Sequence, residues 1–194
     1  MNQPKTTRGQ ETLEKICKAS EKLFSEKGFY KTSINEITKE ADVAPGTFYI
    51  YFNDKLAVFR FLIEELGSTL RKELAATVHN CKTRYEAEYE GFKIYFSFIS
   101  RHRGLYNIIW QAQFVDPELF REYYEKIARS YVISIKKAQV NGEIKDLDPE
   151  GLVYCFIGIT NFIGLRWVIW ENKTIPEEVF EDVMEFIKNG AFKH

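Results

Sequence analysis

Ser33-Ile34-Asn35-Glu36-Ile37-Thr38-Lys39-Glu40-Ala41-Asp42-Val43-Ala44-Pro45-Gly46-Thr47-Phe48-Tyr49-Ile50-Tyr51-Phe52-Asn53-Asp54-Lys55 reads as a short helix, a tight turn and a second short helix. Ser33 followed three residues later by Glu36 is a capping box: hydroxyl and carboxylate each take the other's backbone amide. Ile34, Ile37 and Ala41 recur at helical spacing and define one apolar side. Asp42-Val43-Ala44 leaves room only for a turn, anchored by Val43. Pro45 suits the first turn of a new helix, where its missing N–H costs nothing. Phe48 and Phe52 form the inward stripe, so Thr47, Tyr49 and Tyr51 are expected on the outer face. Asn53 or Asp54 can cap a further helix from about Lys55. This order of elements is that of a helix-turn-helix, whose second helix enters the major groove of DNA.

Composition allows such a head and a larger body. The chain has 194 residues, 45% hydrophobic and 15% aromatic, which suits one or two packed domains and argues against disorder. The net charge of −1 conceals a gradient. Residues 1–60 hold ten Lys/Arg against eight Asp/Glu, whereas the remainder hold seventeen against twenty. Lys5 and Arg8 lie on a polar arm before the first helix, and Lys15, Lys18 and Lys22 share one of its faces. The three cysteines, Cys17, Cys81 and Cys155, are widely spaced. Cys17 and Cys155 fall in apolar surroundings, so they are expected as buried, reduced thiols of a cytoplasmic protein. The first fifteen residues are polar and lack the apolar core of a secretory signal. His79 and Cys81 are neighbours without a second ligand pair, so no metal is expected. No phosphate loop, nucleophile elbow or His–carboxylate pairing is visible, so neither a cofactor nor enzymatic activity is expected.

Apolar residues recur at helical spacing nearly throughout, giving an all-α chain of about nine helices. The first runs from about residue 9 to Lys27 and is ended by Gly28. The fourth reaches from about Lys55 to Val78, roughly 35 Å at 1.5 Å per residue. Gly67-Ser68 within it is either a kink or a tolerated glycine. Further helices are expected near 83–101, 104–114, 116–141, 149–171 and 176–190, several opened by Asp-Pro-Glu or Ile-Pro-Glu. The apolar run 152–170 is nearly long enough to span a bilayer. Arg166 and Asn161 interrupt it, its flanks are acidic and it stands alone. A helix apolar all round is otherwise buried on every side, which in a chain this small calls for a second subunit.

Residues 9–58 resemble the DNA-binding head of the tetracycline-repressor (TetR) family. The agreement is carried by residues 16–24, Lys27-Gly28-Phe29, Thr32-Ser33-Ile34, Ile37, Ala41-Asp42-Val43-Ala44-Pro45-Gly46-Thr47-Phe48-Tyr49 and Tyr51-Phe52-Asn53-Asp54-Lys55. Many members carry histidine at the position of Tyr51. The resemblance implies a DNA-binding domain over 1–54 and an effector-binding and dimerisation domain over 55–194. It also implies a ligand-responsive regulator, a repressor by default, bound as a dimer to a palindromic operator. Thr32, Ser33, Tyr49 and Lys55 would set register on phosphates; Pro45 opens the recognition helix, and Gly46, Thr47 and Tyr51 would face base edges.

The same resemblance implies a two-helix dimer interface, assigned to Phe156, Gly158, Gly164, Val179, Val183, Phe186 and Ile187. It also implies a small-molecule pocket in the body, with Phe96, Trp110, Gln113, Phe114, Tyr124, Asn161, Arg166 and Trp170 as candidate contacts. The wealth of aromatics suits an elongated hydrophobic effector, such as a fatty acyl compound. Arg166 stands out because a buried guanidinium needs an anion, either a ligand's or a protein carboxylate's. Arg101-His102-Arg103 is a basic corner that could hold a phosphate or simply be solvated. A competing reading is a cytosolic helical lipid carrier without sequence-specific DNA binding, which leaves the tyrosine-bearing face of residues 45–52 unexplained.

Overall fold

The computed structural model of the chain describes residues 4–193. They form nine α-helices: α1 (Thr7–Lys27), α2 (Ile34–Glu40), α3 (Pro45–Tyr51), α4 (Lys55–Val78), α5 (Arg84–Arg101), α6 (Arg103–Val115), α7 (Pro117–Val140), α8 (Pro149–Gly164) and α9 (Glu177–Ala191). A π-helical stretch, Leu165–Trp170, continues α8. Among the described residues there is no strand, only one antiparallel bridge between Ile144 and Phe192.

The chain's local chemistry explains where these helices begin and end. Thr6, Ser33, Thr83 and Asp148 each cap a helix by accepting a backbone amide of its first turn, and Asp54 accepts from Ala57 at the start of α4. Helix α2 closes with Asp42 in the left-handed region (φ 53°). The amide of Asp42 donates to Lys39 O and that of Val43 to Thr38 O, a Schellman closure built on aspartate instead of glycine. Gly142 (φ 79°) closes α7 in the same way. Helix α4 stays helical through Gly67 and Ser68.

Packing divides the chain into two compact units. The first holds the described residues up to Ser68 together with Gly104–Tyr123; the second holds Thr69–Arg103 and the described residues from Tyr124 onward. The core of the first contains the fully buried Ile16, Phe24, Ile37, Phe48, Phe52 and Phe59. Phe59 meets Phe24 and Phe29 edge-on, with centroids 5.5 and 5.0 Å apart, a favoured aromatic geometry. Helix α6 is fastened to this unit by Gln111, whose Nε2 donates to Phe24 O (2.9 Å) while its Oε1 accepts from Phe29 N (2.8 Å). The Tyr30 hydroxyl donates to Phe114 O, and Arg60 pairs with Asp116.

In the second unit α5 packs on α8. Phe92 and Tyr131 both lie against Phe156. Glu88 is buried at 3% exposure, held by Arg84 and by the Tyr131 hydroxyl, which donates to it. Burial pushes the Glu88 carboxyl up while Arg84 and Tyr131 oppose that shift. Two expectations about cysteines separate here. Cys17 is largely enclosed, but Cys155 is exposed, because α8 turns one apolar side away from its own chain. Residues Pro149–Trp170 are long and apolar enough to cross a membrane by length and composition, yet only 28% of the most apolar window is buried. A single helix of this kind is weak evidence for a span, since interface and core helices share its composition.

Candidate nucleic-acid interface

Helix α3 owes its position to three inward rings. Phe48 and Phe52 are at 0% and 1% exposure and Tyr51 is at 8%. Opposite them Pro45, Gly46, Tyr49 and Ile50 are exposed and Thr47 is half-buried. Tyr49 at 55% and Ile50 at 59% are large apolar groups facing water on a seven-residue helix. Nothing lies within 4 Å of a Cβ built on Gly46, so the backbone there is open to close approach. This face offers a hydroxyl, a methyl-bearing side chain and an aliphatic one, groups that can pack on thymine methyls and meet base edges. Ile50 was not singled out by sequence. It lies four residues from Gly46 and off the Phe48–Phe52 stripe, which is the signal that finds it.

Three expected contact residues are differently employed. Tyr51 is not on the outer face: it follows Phe48 by three positions, so a helical turn brings it to the same side. Its hydroxyl donates to Gly9 O at 3.1 Å. Thr32 is buried, and its hydroxyl donates to Gly28 O (2.9 Å) and Leu23 O (3.3 Å), closing the end of α1. Lys55 turns inward, donating to Phe29 O (2.7 Å) and Thr32 O (2.6 Å) with its ammonium 4.3 Å above the Phe29 ring. Burial holds the Lys55 ammonium below its ordinary value. Ser33 is exposed, but its hydroxyl serves the capping box. Hydrogen bonds from Lys27 and from the amide and hydroxyl of Ser33 lower the Glu36 carboxyl to about 2.

The body residues divide between the two units. Trp110, Gln113 and Phe114 belong to the first, and Gln113 and Phe114 are exposed. Phe96, Tyr124, Asn161, Arg166 and Trp170 belong to the second. There the Tyr95 hydroxyl donates to Asn161 Oδ1 (2.6 Å), and Asn161 Nδ2 donates to the Tyr124 hydroxyl (3.3 Å). Asn161 is buried and Phe96 lies beside Tyr95; Tyr95 is the member that sequence reasoning did not assign. Arg166 is not the buried guanidinium expected. Its side chain is 48% exposed and bonds Glu171 at 2.6 Å, because the π-helical stretch carries it outward with Trp170, which is 67% exposed. Arg101 is paired with Glu73, and its neighbour His102 is held below its ordinary value by burial and by Arg101.

The expected interface residues also separate. Phe156 and Ile187 are core, at 3% and 2% exposure. Gly164 is internal as well: a Cβ there would lie 2.5 Å from Ile99 Cδ1, so it serves the packing of α8 on α5 instead of an outside helix. Gly158 has nothing within 4 Å of its Cβ position. Val179, Val183 and Phe186 line a shallow groove of about 370 Å³ together with Ile159, Phe162, Ile163 and Asp182. Phe162 and Phe186 are 65% and 70% exposed.

A short capped helix, a Schellman turn and a second helix with an outward tyrosine and isoleucine define a helix-turn-helix DNA-binding protein. Residues 16–61 match the family model described as "Bacterial regulatory proteins, tetR family". The chain is 30% identical over 193 residues to the HTH-type transcriptional regulator YvdT of Bacillus subtilis (strain 168), covering 96% of this chain and 97% of the relative. It is 37% identical over 184 residues to the HTH-type transcriptional regulator HbdR of Aromatoleum sp. (strain CIB), covering 92% and 80%. The chain belongs to the TetR family and is a ligand-responsive, DNA-binding transcriptional regulator. In fold it resembles the fatty acid degradation regulator FadR from Bacillus halodurans, with a TM-score of 0.84 at 18% identity over 97% of this chain and 98% of that one.

Proposed function

We propose that this protein is a cytoplasmic, homodimeric repressor that holds a palindromic operator and releases it on binding a small hydrophobic effector. Residues up to 54 contact DNA, and residues 55–194 hold the effector and the second subunit. The observation that carries the reading is the pair Tyr49 and Ile50, more than half exposed on a helix whose other side is fully buried. Such a face loses free energy in water unless it meets something shaped to it. In the groove, Gly46, Thr47 and Ile50 meet base edges while Tyr49 and Ser33 reach phosphates. The dimer forms by apposition of the α8–α9 groove, an apolar surface lined by Val179, Val183 and Phe186 of α9 and Ile159, Phe162 and Ile163 of α8.

The effector reading rests on the aromatic second unit and on Asn161, which with Tyr95 and Tyr124 gives that apolar interior a polar patch. The similar regulator from Bacillus halodurans is named for fatty acid degradation, which favours a fatty acyl effector. A carrier without DNA binding would give the α3 face no work to do. The test is selection of duplexes from a random-sequence library by the wild-type chain, followed by gel shift with Tyr49→Ala. The variant is expected to keep its helical circular dichroism and to lose about 1–3 kcal/mol of specific binding. Wild-type affinity in the variant would refute the assignment.

A further inference from the structure

We propose that residues 5–9 are a second DNA-contacting element, in which Lys5 and Arg8 bind backbone phosphates beside the half-site and Tyr51 fixes their register against α3. The inference rests on the reading of α3 as the recognition helix. Tyr51 is buried at 8% exposure, and the one polar atom of its ring side chain donates to Gly9 O at 3.1 Å. The first turn of α1 is therefore tied to the last turn of the helix that enters the groove. Upstream of that tie the chain is also folded tightly. Thr6 Oγ1 accepts from Gly9 N (3.1 Å) and Thr6 O accepts from Gln10 N (3.0 Å). A Cβ on Gly9 would stand 2.9 Å from Pro4 Cβ and 3.1 Å from Thr6 Oγ1, so only glycine lets Pro4 and Thr6 close over it.

The charges on this segment have no internal use. Lys5 and Arg8 are exposed and neither has a carboxylate partner among the described residues, and the first turn of α1 holds no acidic residue. Farther along the same helix Lys22 pairs with Glu40 and Lys27 with Glu36. What borders a helix lying in a major groove is the groove's wall, and that wall is phosphate. Two unneutralised cations held at the end of that helix thus match the phosphodiester backbone of duplex DNA, with no demand on base sequence.

The experiment uses the full chain and a duplex that the wild type selects from a random-sequence library. Binding is measured against salt concentration for wild type, Lys5→Ala/Arg8→Ala, and Tyr51→Phe. Each lost phosphate contact should reduce the slope of log K against log salt by about 0.9, so the double variant should lose nearly twice that. Tyr51→Phe keeps the ring in the core and removes only the hydroxyl. It is expected to reduce the slope too, and to add nothing when combined with the double variant. A Tyr51 hydroxyl with a merely structural role would lower the melting temperature and leave the slope intact, which overturns the positioning claim. An unchanged slope in the double variant overturns the whole inference, and a changed base preference on reselection overturns the assignment to phosphates. If the wild type selects no duplex at all, the recognition-helix reading falls and takes this one with it.

Discussion

Single residues in this chain hold geometry through bonds that sequence spacing only partly reveals. Ser33 and Glu36 were legible as a capping box because both halves lie within four residues, and the pair forms as expected. The added Lys27 bond comes from another helix, and it contributes first to lowering the Glu36 carboxyl to about 2, from an ordinary 4.5. With the folded value depressed, the stabilisation is complete above the ordinary value and fades as pH falls toward about 2. A carboxyl-detected NMR titration should find that midpoint, and Lys27→Ala should move it upward. Cysteine chemistry provides a second check. Burial, then the charges of Glu65, Glu14 and Glu21, push the Cys17 thiol up to about 12, whereas Cys155 is exposed. Because the thiolate is the nucleophile, iodoacetamide at neutral pH should spare Cys17 in the folded protein and label it once the chain is denatured. Peptide mass spectrometry before and after denaturation reads the difference.

At the scale of elements, the boundaries were largely visible because caps and prolines act locally. The face each helix presents was less so. Tyr51 was assigned outward, yet a residue three after Phe48 shares its side in a helix, and the core claimed it. Gly164 was read as a seat for an outside helix, but α5 occupies the space: Ile99, Phe96 and Tyr95 all stand within 4 Å of its Cβ position. Gly164→Ala should therefore cost about 1–3 kcal/mol through overpacking, measured by urea denaturation. Gly158→Ala meets no atom of its own chain, and helix propensity favours it by about 1 kcal/mol. A loss of stability at that position would report contact from a second copy.

For the whole molecule, the proposed dimer rests on one apolar face. Phe162 and Phe186 flank the α8–α9 groove with most of their rings in water. Phe186→Glu is expected to yield a monomer by sedimentation velocity, with its helical content intact. If two heads act together on one operator, uncoupling them should weaken operator binding by about 10²–10⁴-fold. A dimer that survives this substitution would move the interface elsewhere.

What the amino-acid order determined unaided was the set of nine helices, the helix-turn-helix and its family, since capping, helical period and turn chemistry act within a few residues of one another. Tertiary structure alone decided that Thr32, Tyr51 and Lys55 turn inward, that Gln111 fastens α6 to the end of α1, and that Arg166 finds Glu171 in place of a buried anion. Apart from the local Thr32–Gly28 and Arg166–Glu171 bonds, these join residues that the chain separates but folding brings within about 3 Å. Arg166 itself depends on the π-helical turn. In both cases the partner follows from which neighbouring surface has already taken the space.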